Sequence, residues 1–356
     1  MSDKLTQVRA QLDRWRVDGV LITSAANRRW LSGFTGSAGR ILVTRDKAVL
    51  ATDSRYWEQA EQQAPEFDIF RMTERPNATA DFLQAGGGVR FGFEARYVTV
   101  AELKGLRKEK GFQWKALNTT LEPLRAIKSP DELAPIREAA QITDKTVNQV
   151  PRLARVGATE REVAWELEKF MRDSGADGLA FDIIVASGPN SALPHHHPGD
   201  RQLQAGDIIV VDLGAEVRGY RSDLTRTFYM GESAGEDFWD IFNTVHRAEV
   251  TAIEGIRSGV TGQAIDALAR DIIKAAGHGD HFGHGTGHGV GLEIHESPRF
   301  SVMAGKDIIP AGAVMTVEPG IYLPGYGGVR IEDLVLVTDE GVELLSSAPK
   351  SPLIAL

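Results

Sequence analysis

The sequence predicts an α/β domain followed by a larger, pseudo-symmetric α+β domain, on three observations. The chain has 356 residues, too many for one ordinary core, so two domains are expected. Short β-rich runs alternate with helical stretches through the first third of the chain. Beyond it the order helix, helix, hairpin occurs twice without obvious identity between the copies, the pattern of a duplicated domain.

The elements follow in order. Leu5, Val8, Leu12 and Trp15 mark an opening amphipathic helix. Strands are expected at Gly19–Thr23, Arg40–Thr44, Ala48–Thr52, Phe67–Arg71 and Val89–Phe93, with helical character at Ser54–Gln62 and Val100–Lys108. Ser129-Pro-Asp-Glu132 is a capping box with proline at the first helical position. The domain boundary is placed just before it, giving residues 1–125 and 126–356. Leu133, Ile136, Ala140 and Val147 hold one face of the following helix. Thr159 and Glu162 form a second capping box, opening a helix with Val163, Leu167, Phe170 and Met171 on its apolar stripe. A hairpin is predicted from Asp207–Gly214 and Arg221–Met230 around a turn at Val217-Arg218-Gly219. Helices at Phe238–Ile256 and Thr261–Ala276 come next, the latter with Ile265, Leu268 and Ile272 on one side, and a second hairpin joins Ala313–Glu318 to Gly328–Val337.

Composition narrows the function. Hydrophobic residues make up 42% and charged residues 25%, as in an ordinary globular protein. Lys plus Arg total 40 against 49 for Asp plus Glu, a net charge of −9, whereas a phosphate-tracking surface needs the opposite balance, so no nucleic-acid partner is expected. The absence of cysteine excludes disulfides, thiolate metal sites and cysteine nucleophiles, leaving oxygen and imidazole as metal ligands. Met1 to Val20 has no uninterrupted apolar run, and no stretch reaches bilayer-spanning length. A cytoplasmic protein with no membrane partner is expected.

The hairpins hold the chemistry. Asp212 and Asp223 are placed symmetrically about the first turn and, in the simplest register, face each other with Cβ atoms about 4.5–5.5 Å apart. Glu318 and Glu332 are likewise symmetric about Gly325. A lone acid of this kind reads as a strand-end carboxylate facing water, or as an ion pair with Arg226 or Arg330. Two symmetric pairs on strands rich in Val, Ile and Leu read differently, because burying four carboxylates together costs several kcal/mol each unless compensated. Two divalent cations would neutralise them.

Residues Phe282 to His295 hold three of the nine histidines, His284, His288 and His295, with glycine at 283, 285, 287, 289 and 291. The i, i+4 spacing of His284 and His288 suits a helical zinc motif, but that much glycine opposes a helix, so a loop or irregular strand is expected. The G-x-G-x-x-G spacing of a phosphate cradle is missing, and no lysine follows. The run His195-His196-His197, taken alone, reads as a polar surface loop.

Six segments then fix a resemblance: Ser191-Ala-Leu-Pro-His195, Val211-Asp-Leu-Gly214, Ser222-Asp-Leu-Thr-Arg-Thr-Phe228, Gly283-His-Gly-Thr-Gly-His288, Val317-Glu-Pro-Gly-Ile-Tyr322 and Gly328-Val-Arg-Ile-Glu-Asp333. In this order they resemble the pita-bread metallopeptidases, specifically the branch holding aminopeptidase P and prolidase. Leu31-Ser-Gly-Phe-Thr-Gly-Ser37 and Thr52-Asp-Ser-Arg-Tyr56 look like the creatinase-like N-terminal domain of these Xaa-Pro enzymes, which methionine aminopeptidases normally lack. The resemblance implies a creatinase-like α/β domain, shaping the site entrance in a homodimer, and a pita-bread catalytic domain.

It also implies a site. Asp212 would chelate one metal, His288 and Glu318 the other, and Asp223 and Glu332 would bridge both. So oxygen-rich a set favours Mn²⁺, with Co²⁺, Fe²⁺ or Zn²⁺ able to substitute. Glu318 would act as general base towards a metal-activated water. His195, or His196 if the register slips by one, and His295 would flank the substrate and stabilise the oxyanion. His284 would line the proline pocket, and Arg330 would orient the carboxylates around Glu332 at the substrate site. The implied reaction is removal of an N-terminal residue from peptides with proline at the second position. Aminopeptidase P is favoured over prolidase because the region around Thr52–Tyr56 and Gln62 resembles the former. A non-catalytic peptide-binding relative is disfavoured, since such proteins lose ligands and this set is intact.

Overall fold

The computed structural model describes residues 3–305 and 307–355. The chain divides after Arg125 into two compact units.

In the first unit the helix Asp3–Trp15 buries Leu5, Val8 and Leu12, the spacing that puts one stripe against a sheet. The sheet has six strands and is mixed. Its central strand Gly19–Ile22 pairs antiparallel with Arg40–Thr44 on one side and parallel with Arg90–Glu94 on the other. Leu21, Leu42, Val49, Phe82 and Phe91 meet in its core. Among the elements that the sequence analysis does not anticipate are the helices Ala25–Ser32 and Ala78–Gly86 and the strand Gln113–Leu117. The strand is largely exposed and lies at the sheet edge, so it lacks alternation. The helix Ala25–Ser32 buries Asn27 and Arg28. There a polar network replaces the apolar stripe: Glu94, itself buried, accepts from the Ser24 backbone N–H at 2.7 Å and from Asn27 Nδ2 at 2.5 Å.

The second unit opens with both expected capping boxes. Ser129 and Glu132 cap Pro130–Val147, while Thr159 and Glu162 cap Glu160–Asp173. The first helix buries Ile136, Ala140 and Val147, the second Val163, Leu167 and Met171, with Phe170 half-buried. A four-stranded sheet runs in the order Leu353–Ile354, Leu224–Met230, Ile208–Leu213, Ile184–Ser187. The helices Glu236–Gly255 and Gly262–Ala275 then lead to a five-stranded sheet ordered Glu296–Phe300, Gly287–Gly289, Val314–Val317, Asp333–Val337, Val342–Leu344. Each half has its own apolar core. This is the duplicated α+β arrangement.

Two local expectations are corrected. The first hairpin is not continuous, because Ala215–Val217 and Tyr220–Arg221 peel away to form a small sheet with Gly178–Leu179. Its turn comprises only Arg218 and Gly219, both with positive φ (47° and 75°). That geometry belongs to two-residue hairpin turns. The resulting register sets Asp212 opposite Thr225, not Asp223, so the two aspartates are diagonal neighbours. The second correction concerns Gly262–Ala275, whose buried face is Ile265, Asp266, Ala269 and Ile273. Leu268 is exposed and Ile272 half-buried. A stripe containing an alanine and an aspartate has no signature in hydrophobicity, whereas Leu268 and Ile272 supply a false one.

Among the described residues no helix is long and apolar enough to cross a membrane. The corrected helix face makes a measurable difference. Ile273→Ala is expected to cost about 2–5 kcal/mol and Leu268→Ala about 0.5 kcal/mol, compared by urea denaturation; equal costs would restore the sequence-derived face.

Candidate metal centre

Three of the four acids flank a strand end, and Asp212 lies within a ladder, paired with Thr225 and Ile184. Asp212 is the penultimate residue of Ile208–Leu213, and Asp223 directly precedes Leu224–Met230. Glu318 directly follows Val314–Val317, and Glu332 directly precedes Asp333–Val337. The pairings Val317↔Asp333 and Gly320↔Arg330 leave Glu318 opposite Glu332, as their symmetry about Gly325 predicts. The Glu332 backbone N–H donates to Thr225 O at 3.1 Å, which carries it over to the first sheet. Oxygen atoms of Asp212, Asp223 and Glu332 then lie within 4.8 Å of one another. His288 Nε2 lies 3.4 Å from Glu318 Oε1 and 3.6 Å from Asp223 Oδ2. These five residues border a cavity of about 480 Å³, which His195, His284, His295 and Arg330 also line.

The cluster has the electrostatics of a cation site. Burial, and then the charges of Glu332, Asp212 and Glu318, push the Asp223 carboxyl well above its ordinary range. Burial likewise raises Glu332, with Glu318 and Asp212 adding to it. Glu318 is pushed up to about 7 by burial, a shift Arg330 opposes and Asp212 reinforces. Burial also lowers His288 to about 3, with His295 nearby adding to the effect, so its imidazole is neutral. Its Nδ1 lies 3.1 Å from Gly289 O, an acceptor, so Nδ1 carries the proton and Nε2 aims a lone pair at the carboxylates.

Protein donors take one oxygen of two of these acids and leave the other. Arg330 Nη2 donates to Asp212 Oδ2 at 2.7 Å and Thr225 Oγ1 to Glu332 Oε2 at 2.7 Å. Asp212 Oδ1 and Glu332 Oε1 are buried without a hydrogen-bond partner among the described residues. Acceptors facing acceptors in a buried space require positive charge between them. The donor set of four carboxylates and one neutral imidazole fits divalent cations of intermediate hardness. Asp212, Asp223, His288, Glu318 and Glu332 are the side chains that would hold them.

The surrounding residues are distributed unevenly. Arg330 is buried and braces Asp212 directly; its Nε reaches Thr225 Oγ1 at 3.0 Å, so its hydrogen bonds reach Glu332 through Thr225, while its charge also acts on Glu332 directly. His284 Nε2 meets Tyr322 OH at 2.8 Å, and burial, then Arg330, lower its pKa to about 4. His195 and His295 are exposed at the cavity wall. His196 is turned to Glu160 Oε2, 2.7 Å away. The His–Gly segment is the irregular strand expected of it, with a register break between His288 and Gly289. A Cβ on Gly287 would run into Thr316 O, so the glycine permits the close approach that delivers His288.

Sequence reasoning missed several participants. Thr225 serves Glu332, Thr316 Oγ1 accepts from the His288 backbone N–H at 3.0 Å, and Tyr322 OH accepts from Arg330 Nη1 at 2.9 Å. Asp266 receives the N–H of Thr286 at 3.1 Å and Arg270 Nε at 2.7 Å, tying the glycine-rich segment to a helix. Tyr322 and Thr225 lie inside conspicuous motifs; Thr316 and Asp266 had no signal at all.

A duplicated α+β unit with a carboxylate and imidazole centre between its two sheets defines a metal-dependent hydrolase of the pita-bread fold. Residues 134–339 match Metallopeptidase family M24, and residues 4–127 match the Creatinase/Prolidase N-terminal domain. The chain belongs to family M24. It is 37% identical to the Xaa-Pro dipeptidase of Pyrococcus horikoshii, covering 98% of both chains. Among solved structures, an Xaa-Pro dipeptidase from Bacillus anthracis superposes with a TM-score of 0.95 at 39% identity, covering 99% of each chain. An X-Pro aminopeptidase from Thermotoga maritima superposes with a TM-score of 0.89 at 33% identity, covering 98% of this chain and 99% of that one.

Cation binding and folding are thereby linked. Mn²⁺ at a hundred times its dissociation constant is expected to stabilise the protein by about 2.7 kcal/mol, read as a rise in thermal midpoint that EDTA reverses. Asp223→Asn should abolish most of that rise; an unchanged midpoint in wild type would contradict the assignment of the centre.

Proposed function

We propose that the chain is an Xaa-Pro dipeptidase working with two Mn²⁺ ions. The sequence places aminopeptidase P first. Two of the three compared relatives are named as dipeptidases, and one feature of the cavity favours the same substrate. Arg299 lines the cavity and pairs with His288 in the strand register. Its charge is among the influences that lower both His288 and His295. In an Xaa-Pro dipeptide a carboxylate directly follows the proline ring, whereas in a longer peptide that position is a neutral amide. Arg299 offers the carboxylate a planar cationic partner, and it is the observation that supports a dipeptide most directly.

When bound, the cations supply neutralising charge, polarise the scissile carbonyl and acidify a water. Glu318, whose carboxyl titrates near 7, takes the proton of the attacking water and delivers it to the proline nitrogen as the C–N bond breaks. His295, whose pKa partial burial and then Arg299 lower, and His195 donate N–H bonds to the developing oxyanion. His284 is held by Tyr322 and forms a fixed wall for the ring. A proline nitrogen carries no hydrogen, so its recognition relies on such walls and on the carboxylate.

Turnover of an Xaa-Pro dipeptide is expected to exceed that of the matching Xaa-Pro-Pro tripeptide. Arg299→Met should reduce kcat/KM for the dipeptide by roughly 10- to 100-fold, the worth of a charge-assisted hydrogen bond, and barely affect a dipeptide amide. Preference for the tripeptide with no penalty from Arg299→Met would return the assignment to aminopeptidase P. Metal analysis of Asp223→Asn and His288→Ala should find fewer than two ions per chain, with activity lost in parallel.

A further inference from the structure

His195 lies in a segment with no strand or helix to hold it, residues 193–199. One carboxylate is the centre of the bonds that hold the segment. Glu160, the first residue of the helix Glu160–Asp173, is fully buried. Its Oε1 accepts from the Ser187 backbone N–H at 2.8 Å, Ser187 Oγ at 2.7 Å and Asn190 Nδ2 at 3.0 Å. Its Oε2 accepts from His196 Nε2 at 2.7 Å and from the Gly199 backbone N–H at 3.1 Å. Both oxygens are thus saturated by donors from residues 187–199. Burial acts to raise this carboxyl, yet the bonds from Asn190, His196 and Ser187 outweigh it and hold it below its ordinary value. An ionised Glu160 can only accept, so the His196 proton sits on Nε2.

The consequence falls on the neighbouring histidine. On one side of His195, the ring of His196 is fixed to Glu160; on the other, Pro194 O accepts from Arg330 Nη1 at 3.4 Å. We propose that Glu160 is a positioning residue for the reaction, clamping the loop through His196 and Gly199 so that the His195 ring is presented to the cavity. The proposal rests on the peptidase reading, in which His195 touches the reacting carbonyl. It also gives the histidine run a division of labour in which His195 faces the substrate and His196 faces inward as the anchor.

Glu160→Gln tests this with little change of shape. A glutamine keeps three acceptor bonds from Oε1 but turns an NH₂ towards Gly199 N–H and His196 Nε2–H, where two donors already point. The variant should retain two metal ions and wild-type KM while kcat on an Xaa-Pro dipeptide falls roughly 10- to 100-fold, the loss expected for a misplaced catalytic group. His195→Ala should lose as much, and Glu160→Gln/His195→Ala should be no worse than His195→Ala alone. Amide hydrogen exchange in residues 193–199 should speed up in Glu160→Gln without metal added, while the strands bearing Asp212 and Glu318 keep their protection. Should Glu160→Gln not fold, His196→Phe, which removes one bond and keeps the other four, is held to the same comparisons with a smaller loss. Losses that multiply in the double variant, a fall in metal content that accounts for the lost activity, or unchanged exchange would each overturn the clamp. A wild type inactive on every Xaa-Pro peptide overturns the peptidase reading instead, and the exchange measurement still decides whether Glu160 orders the loop.

Discussion

Four carboxylates and a neutral imidazole converge on one buried space, where Asp212 Oδ1 and Glu332 Oε1 meet no donor among the described residues. Donors are abundant immediately behind that space. Arg330 donates to Asp212 and Thr225 donates to Glu332, while Thr316 Oγ1 accepts from the His288 backbone N–H. The protein therefore fixes the outer edge of Asp212 and Glu332 and leaves their inner oxygens facing the other ligands. Without positive charge, burial and mutual repulsion drive Asp223 and Glu332 towards protonation. The strand ends at Asp223, Glu318 and Glu332 and the glycine that brings His288 up to Thr316 are local irregularities arranged around this one electrostatic demand.

How much of this could be read from the chain depended on whether the determinant was local. Capping boxes at Ser129 and Thr159 are local, and they open the helices the sequence assigned to them. The symmetry of Glu318 and Glu332 about Gly325 holds because both ladders flanking them keep a single register. The same reasoning failed for Asp212 and Asp223. Their turn is closed by Arg218 in a left-handed conformation, which an arginine rarely adopts and nothing in the sequence announces. The two carboxylates still converge because diagonal neighbours on one sheet face are close enough to meet.

The polar determinants were legible only where they fell inside a motif. Glu160 lies between the capping-box residues Thr159 and Glu162 and has no signal of its own in the sequence, yet its side chain accepts five hydrogen bonds. Asp266 sits mid-face on a helix whose bulkier residues pointed to a different stripe. In both cases a buried acid organises a loop distant in sequence, and the partners include backbone N–H groups, which have no residue identity to recognise.

Glu332 and Asp333 show that surroundings, more than residue type, assign these acids their tasks. They are consecutive and both buried, at the end of a strand whose successive side chains face opposite ways. Glu332 faces Glu318 and Asp212 and is driven upward. On the other side, Asp333 meets Arg226 Nη2 at 2.7 Å and Lys350 Nζ at 2.7 Å, which hold it low against the pull of burial. Arg226 also donates to the Glu332 carbonyl and to Ala348 O, and Lys350 extends the pairing to the buried Glu249 at 2.7 Å. A network of paired cations and acids thus anchors the backbone immediately beside an acid cluster in which Asp212 Oδ1 and Glu332 Oε1 meet no donor among the described residues. The first is satisfied by the protein's own side chains. The second is not, and that incompleteness, beside a strand end tied down by the first, is what suits the site to cations.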